Sequence, residues 1–243
     1  TLLAVLFVPV CFGIEHLYLW ATPASAGMHV NHDYLNTPLF ILRAAICFAL
    51  WLLMAWLLTN WSAAYDRTRD VRYVKRMEWL SGPGLLLLVL LVTFSSIDWI
   101  MSLEPEWFST AYGFILITGQ ALTAISLAVI VLALLSKYSP IKDVVTPRHF
   151  HDLGNLMLAF LMLWAYVNFG QFLIIWSGNI PRETTWYINR ATPGWFTVSI
   201  LMVIAHFFVP FMLLLQQDIK RSPRLLMWLA AGMMLLRVLA MAW

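Results

Sequence analysis

The chain has 243 residues, 62% of them hydrophobic and 11% charged, with a formal net charge of +3 and a mean hydropathy of +0.80. A soluble domain is roughly half apolar and about a quarter charged, so the composition excludes a soluble globular protein and points to a polytopic membrane protein. No nucleic-acid partner is expected.

Seven runs meet or approach the roughly 20 apolar residues that a spanning helix needs. They are residues 2–20, 39–60, 82–101, 112–136, 153–177, 195–215 and 225–243. Backbone groups in lipid must be satisfied within the segment, and a period-two alternation is absent, so the runs are predicted to be helices rather than barrel strands. The expected fold is all-α, a polytopic transmembrane helix bundle forming a single domain over residues 1–243. The chain opens on Thr1 inside one apolar run and stops at Trp243 inside another, with no initiator Met and no leader. It therefore reads as the middle of a longer protein.

The first run carries Glu15 and His16 toward its end, and Cys11 within it. With Cys47 in the second run there is no CxxC spacing, so neither a disulfide framework nor an iron–sulfur site is expected. Arg43 lies early in the second run. Between the second and third runs come Arg67, Arg69, Arg72, Lys75 and Arg76. Lys137, Lys142 and Arg148 fill the fourth connection, and Lys220, Arg221 and Arg224 the sixth. The other side has only Arg182 and Arg190. Basic residues stay inside, which places the even-numbered connections in the cytoplasm. Pro38, Pro83 and Pro193 suit first helical turns, while Pro9 and Pro210 fall inside runs and predict kinks.

The third run ends in Asp98 and leads into SSIDWIMSLEPEWFSTAYG, residues 95–113, with Glu104, Pro105, Glu106 and Trp107 in a rigid acidic turn. A carboxylate at a membrane helix end costs free energy unless it is paired or wet. Glu15, His16, Arg43 and Asp98 occupy a similar depth under this topology. Either Glu15 or Asp98 can pair with Arg43, as a structural ion pair or as part of an outer proton half-channel.

The fifth run carries Asp152 and Asn155 near its cytoplasmic end and Asn168 and Gln171 further out. Asp152 suits the positive end of a helix dipole, and the amides suit interhelical hydrogen bonds. Trp164, Asn168 and Gln171 are also the side chains that can line a quinone head-group pocket. His206, in the middle of the sixth run, is either a satisfied core residue or a proton shuttle. Arg237 in the last run needs a partner that the sequence does not name. The proton-pathway candidates are thus Glu15, His16, Arg43, Asp98, Asp152 and His206. A di-haem cytochrome needs paired histidines on facing helices, and only His206 lies deep; His29, His32, His149 and His151 are in connections. No metal site, catalytic residue or haem is expected in this chain.

DWIMSLEPEWFSTAYG, residues 98–113, resembles the signature of the smaller polysulphide-reductase-like (NrfD-like) membrane subunit of alternative complex III, the quinone-binding subunit 2 of quinol:cytochrome c oxidoreductase. HLYLW and YLNTPLFILRA, within residues 16–44, and DLGNLMLAFLMLWAYVNFGQFLIIWSGNIPRETTWY, residues 152–187, are similar to further family segments in the same order. The resemblance implies a protein of about ten helices, of which these would be the middle seven, in a bacterial inner membrane. It implies a multihaem cytochrome c subunit, an iron–sulfur subunit and a larger NrfD-like sister subunit as partners, besides membrane lipid. Haem c and iron–sulfur clusters would sit in those partners; the sister subunit is the stronger candidate for the quinol site, and a quinol or quinone on this chain is the alternative. The implied role is a cofactor-free subunit that supports assembly and a proton pathway coupled to quinol oxidation. A secondary transporter and a purely structural scaffold are the alternatives. Against the first stands the absence of matched repeats with broken helices.

Overall fold

The computed structural model describes residues 2–22, 31–105 and 107–242. Glu106 of the expected acidic turn, His29 and Trp243 lie outside the described residues. Among the described residues there are helices and turns and no strand. Six helical stretches are long and apolar enough to cross a membrane: Thr37–Thr68, Val71–Leu103, Tyr112–Leu135, Pro147–Gly178, Pro193–Leu215 and Pro223–Met241. By length and composition this is a multi-pass helical membrane protein. The first expected span, 2–20, is instead two helices, α1 (Leu2–Phe12) and α2 (Ile14–Leu17), followed by a 3₁₀ turn at Leu19–Ala21. At 11 residues α1 is about 16 Å long, short of a bilayer core.

Internal packing divides the chain into two units, Thr1–Gly113 and Phe114–Trp243. The frame of the first is a hairpin of α3 (Thr37–Thr68) and α4 (Val71–Trp99). Asn36 caps α3, its Oδ1 accepting from the Leu39 N–H at 3.0 Å, with Pro38 in the first turn. Arg69, at φ 54°, takes the left-handed conformation that ends the helix, and Asp70 Oδ1 accepts from the Arg72 N–H at 2.9 Å to start the next. The 21-residue basic connection expected at 61–81 is therefore a two-residue turn between helices that run well past the apolar core. Phe40, Ala44 and Cys47 form the buried stripe of α3, and Leu91, Val92, Ser95, Ser96 and Asp98 that of α4. Both follow helical spacing. Phe7, Tyr18, Trp20, Phe40, Phe48, Trp51 and Trp99 make ring contacts around them.

The second unit is built on α5 (Tyr112–Leu135), which the unit boundary crosses near its start, α7 (Pro147–Gly178) and α12 (Pro223–Ala242). Short α6 (Ile141–Val144) precedes α7, and amphipathic α8 (Pro181–Arg190) follows it. The sixth run is α9 (Pro193–Met202), a π-helical segment at Val203–Phe208, and α10 (Val209–Leu215). Then comes α11 (Gln217–Arg221). Pro210 explains the π segment. It has no N–H for the His206 carbonyl, and its ring would strike that oxygen in an α-helix. Widening the turn avoids the clash, and the Val209 N–H reaches back to the Ile204 oxygen. The core of this unit is Leu122, Val129, Phe150, Met157, Leu161, Leu214, Leu226, Ala230 and Met233.

Candidate functional site

In the first unit the facing stripes of α3 and α4 bring two charges together. Arg43 Nε donates to Asp98 Oδ2 at 2.6 Å, and Asp98 is 2% exposed. The second hold on Arg43 is Tyr34, just before α3. The Tyr34 carbonyl accepts from Arg43 Nη1 at 3.0 Å, and the guanidinium carbon lies 4.0 Å from the centre of the Tyr34 ring. A cation over an aromatic face adds to its electrostatic stabilisation, most where water is excluded. Asp98 Oδ1 and Arg43 Nη2 are buried without a hydrogen-bond partner among the described residues. The pair is thus neutralised in charge but not saturated in hydrogen bonds. The helix end is closed by the Ser102 hydroxyl, which donates to the Asp98 carbonyl, and by the Tyr18 hydroxyl, which donates to the Trp99 carbonyl at 3.0 Å.

Of the two carboxylates open to Arg43 from sequence, the structure selects Asp98. Glu15 and His16 are exposed on α2. Tyr34 is the group that sequence reasoning missed. Its only signal was an aromatic residue two positions before the helix cap Asn36.

Burial first, and the Asp98 charge second, push the Tyr34 phenol up from 10.0 to about 12. A proton held more tightly in the folded state gives stability that is present below the unfolded pKa and lost as pH rises through the folded one. Between pH 10.0 and about 12 the protein is expected to lose stability that a Tyr34→Phe variant does not lose. Alkaline unfolding followed alongside tyrosinate absorbance checks this; identical profiles for the two proteins contradict it.

In the second unit the candidates separate into two places. His206 is 1% exposed, and both its ring nitrogens lack partners among the described residues, as does the Trp164 Nε1. The two rings meet edge to face at 4.6 Å. Gln171, two turns along α7 from Trp164, is buried, whereas the Asn168 amide nitrogen is spent on the Trp164 carbonyl at 2.7 Å. On α5 a Cβ at Gly119 would collide with the Arg237 guanidinium, so glycine is what admits that side chain of α12.

The other place is the opposite end of α7. Asp152 lies in the second turn of α7, not at its N-terminus, because the helix begins at Pro147 with a Thr146–His149 capping box. Asp152 is exposed, with Oδ1 3.7 Å from His151 Nδ1. Asn155 Oδ1 accepts from Lys220 Nζ at 2.7 Å. Lys220, expected as one of the cytoplasmic surface charges, is 7% exposed and packs on Gly154. His206 and Trp164 therefore meet in one place, Gln171 is buried about 10 Å further along α7, and Asp152, Asn155 and Lys220 lie at another place, while Arg43 and Asp98 belong to the first unit.

No protein-family model and no curated protein matches this chain.

Proposed function

We propose that this chain is a cofactor-free membrane subunit of a quinol-oxidising electron-transfer complex in a bacterial inner membrane, of the NrfD-like type found in alternative complex III. It would be the central part of a protein of about ten helices, beside a larger sister subunit, a multihaem cytochrome c subunit and an iron–sulfur subunit. The observation that carries this reading is the Arg43–Asp98 contact of 2.6 Å. It joins two family-like stretches, residues 16–44 and 98–113, that lie far apart in the sequence. Tyr34, also from the first stretch, holds the same guanidinium.

In this reading the electrons travel through the partner subunits, and this chain holds and moves protons. Asp98 is the carboxylate that takes up and releases a proton. Arg43 stays in place when Asp98 is neutral, because the Tyr34 carbonyl and ring still bind it. Glu15 and His16, exposed on α2, are the further proton-carrying candidates of the first unit, and exposed Asp152 and buried His206 are those of the second. A quinone head group on this subunit would be held by the Trp164 indole and Gln171, since the Asn168 amide nitrogen is already engaged.

Asp98→Asn in the intact complex is expected to lower the protons released per electron while the haems of the partner subunits remain in place. An unchanged proton stoichiometry with the complex fully assembled would reject the proton role and leave Arg43 and Asp98 as an assembly device.

A further inference from the structure

The α3–α4 hairpin carries a second constellation at the end away from Asp98. Trp61 of α3 and Trp79, Lys75 and Arg76 of α4 line a shallow cleft. Trp79 and Trp99 are 99 − 79 = 20 residues apart on one helix. At 1.5 Å per residue that is about 30 Å, the thickness of a bilayer hydrocarbon core. With Trp99 and the ion pair at one boundary, Trp79 stands at the other, and Trp61 stands level with it across the hairpin. Tryptophan at that depth is a boundary residue, and the side rich in basic residues is the cytoplasmic one.

The cleft also has a direction. At 100° per residue, Lys75, Trp79, Leu86 and Leu90 lie within about 60° of one another on α4. Leu86 and Leu90 are exposed. One face of the helix thus runs from cations, past a tryptophan, onto an open apolar track. Arg76 stands about 100° from Lys75, on the Trp79 side. Glu78, the acid of this turn, falls about 60° to the other side of Lys75, so the track itself carries no negative charge. A free anion would use the cations and leave the leucines unused, whereas a zwitterionic lipid would use the leucines and gain little from the cations.

We propose that this face binds an anionic phospholipid of the cytoplasmic leaflet, with its phosphate between Lys75 and Arg76, its glycerol region against Trp61 and Trp79, and an acyl chain along Leu86 and Leu90. The test titrates the full-length protein in mild detergent with phosphatidylglycerol, phosphatidylcholine and inorganic phosphate, and reads adducts by native mass spectrometry. Phosphatidylglycerol is expected to be retained under activation that strips phosphatidylcholine. The double change Lys75→Gln with Arg76→Gln should weaken it by about thirtyfold, in line with the attraction of two basic residues for an anionic surface. The charge-conserving pair Lys75→Arg with Arg76→Lys should keep it. Equal retention of the two lipids overturns the proposal, as does a phosphatidylglycerol adduct that ignores the glutamines. Displacement of the lipid by inorganic phosphate would make this a free-anion site and overturn the lipid assignment.

Discussion

Asp98→Ala is expected to destabilise the Thr1–Gly113 unit by about 3–5 kcal/mol, the range found when one partner of a buried ion pair is removed. Arg43 would keep its hold on the Tyr34 carbonyl and ring but lose the one carboxylate it meets among the described residues. Asp98 is the more deeply buried partner, its side chain 3% exposed against 20% for Arg43. The reverse change, Arg43→Leu, strands the carboxylate and should cost a similar amount. Arg43→Leu with Asp98→Leu together should cost far less than the sum, because apolar replacement of a whole buried pair is often neutral or stabilising. Reversible unfolding in mixed micelles of the parent, Asp98→Leu, Arg43→Leu and the double variant closes the cycle, with Asp98→Ala measured beside them. Additive effects, or a loss under about 1 kcal/mol for Asp98→Ala, would show that the pair is wet and worth no more than a surface salt bridge.

The second large effect is expected at Gly154. A Cβ there would lie 2.7 Å from Lys220 Cγ and 3.1 Å from Lys220 Cβ. The near atoms belong to the root of the lysine side chain, which cannot swing aside without moving α11. Gly154→Ala is therefore expected to cost about 1–3 kcal/mol, the usual range for overpacking, despite the better helix propensity of alanine. Lys220→Ala in the same protein should recover much of that loss by removing the atoms in the way. The same unfolding measurement checks it; a Gly154→Ala protein as stable as its parent would mean that α7 and α11 do not touch at this point.

The second through seventh expected spans and their order were legible, because apolar runs of some 20 residues admit one structure in lipid. The helix ends were less so. Residues 61–81 read as a loop because of their charge. Asn36, Arg69 and Asp70 show what decides it, namely local capping groups around a two-residue turn. The position of the turn is also what separates Asp98 from Glu15 as the partner of Arg43. Counted from the true turn, Arg43 stands 69 − 43 = 26 residues before Arg69, and Asp98 stands 98 − 70 = 28 residues after Asp70. They are level to within about 3 Å. With a 21-residue loop in between, depth is known only roughly, and Glu15 is as good a partner as Asp98. The first run differs from the others. Residues 2–20 are apolar enough on average, but Gly13 interrupts the helix at 13 and Tyr18 is extended.

Two features had no usable sequence signal. Lys220 sits among Arg221 and Arg224 and looks like a surface charge; only the absence of a side chain at Gly154 lets its stem be buried. The isolation of His206 depends on Pro210 four residues on, which was legible as a kink but not as a π segment that fixes the imidazole against Trp164. Asp98 itself was legible, because an acid at the end of an apolar run has few tolerable fates.

The central claim is that this chain works inside a redox complex. The most direct measurement is isolation of the tagged full-length protein in mild detergent, followed by subunit mass spectrometry and a haem spectrum. The account predicts that a multihaem cytochrome c, an iron–sulfur subunit and a larger NrfD-like subunit come with it. A protein that emerges alone and colourless, and that moves a solute across vesicles without redox partners, would contradict the account and identify a transporter.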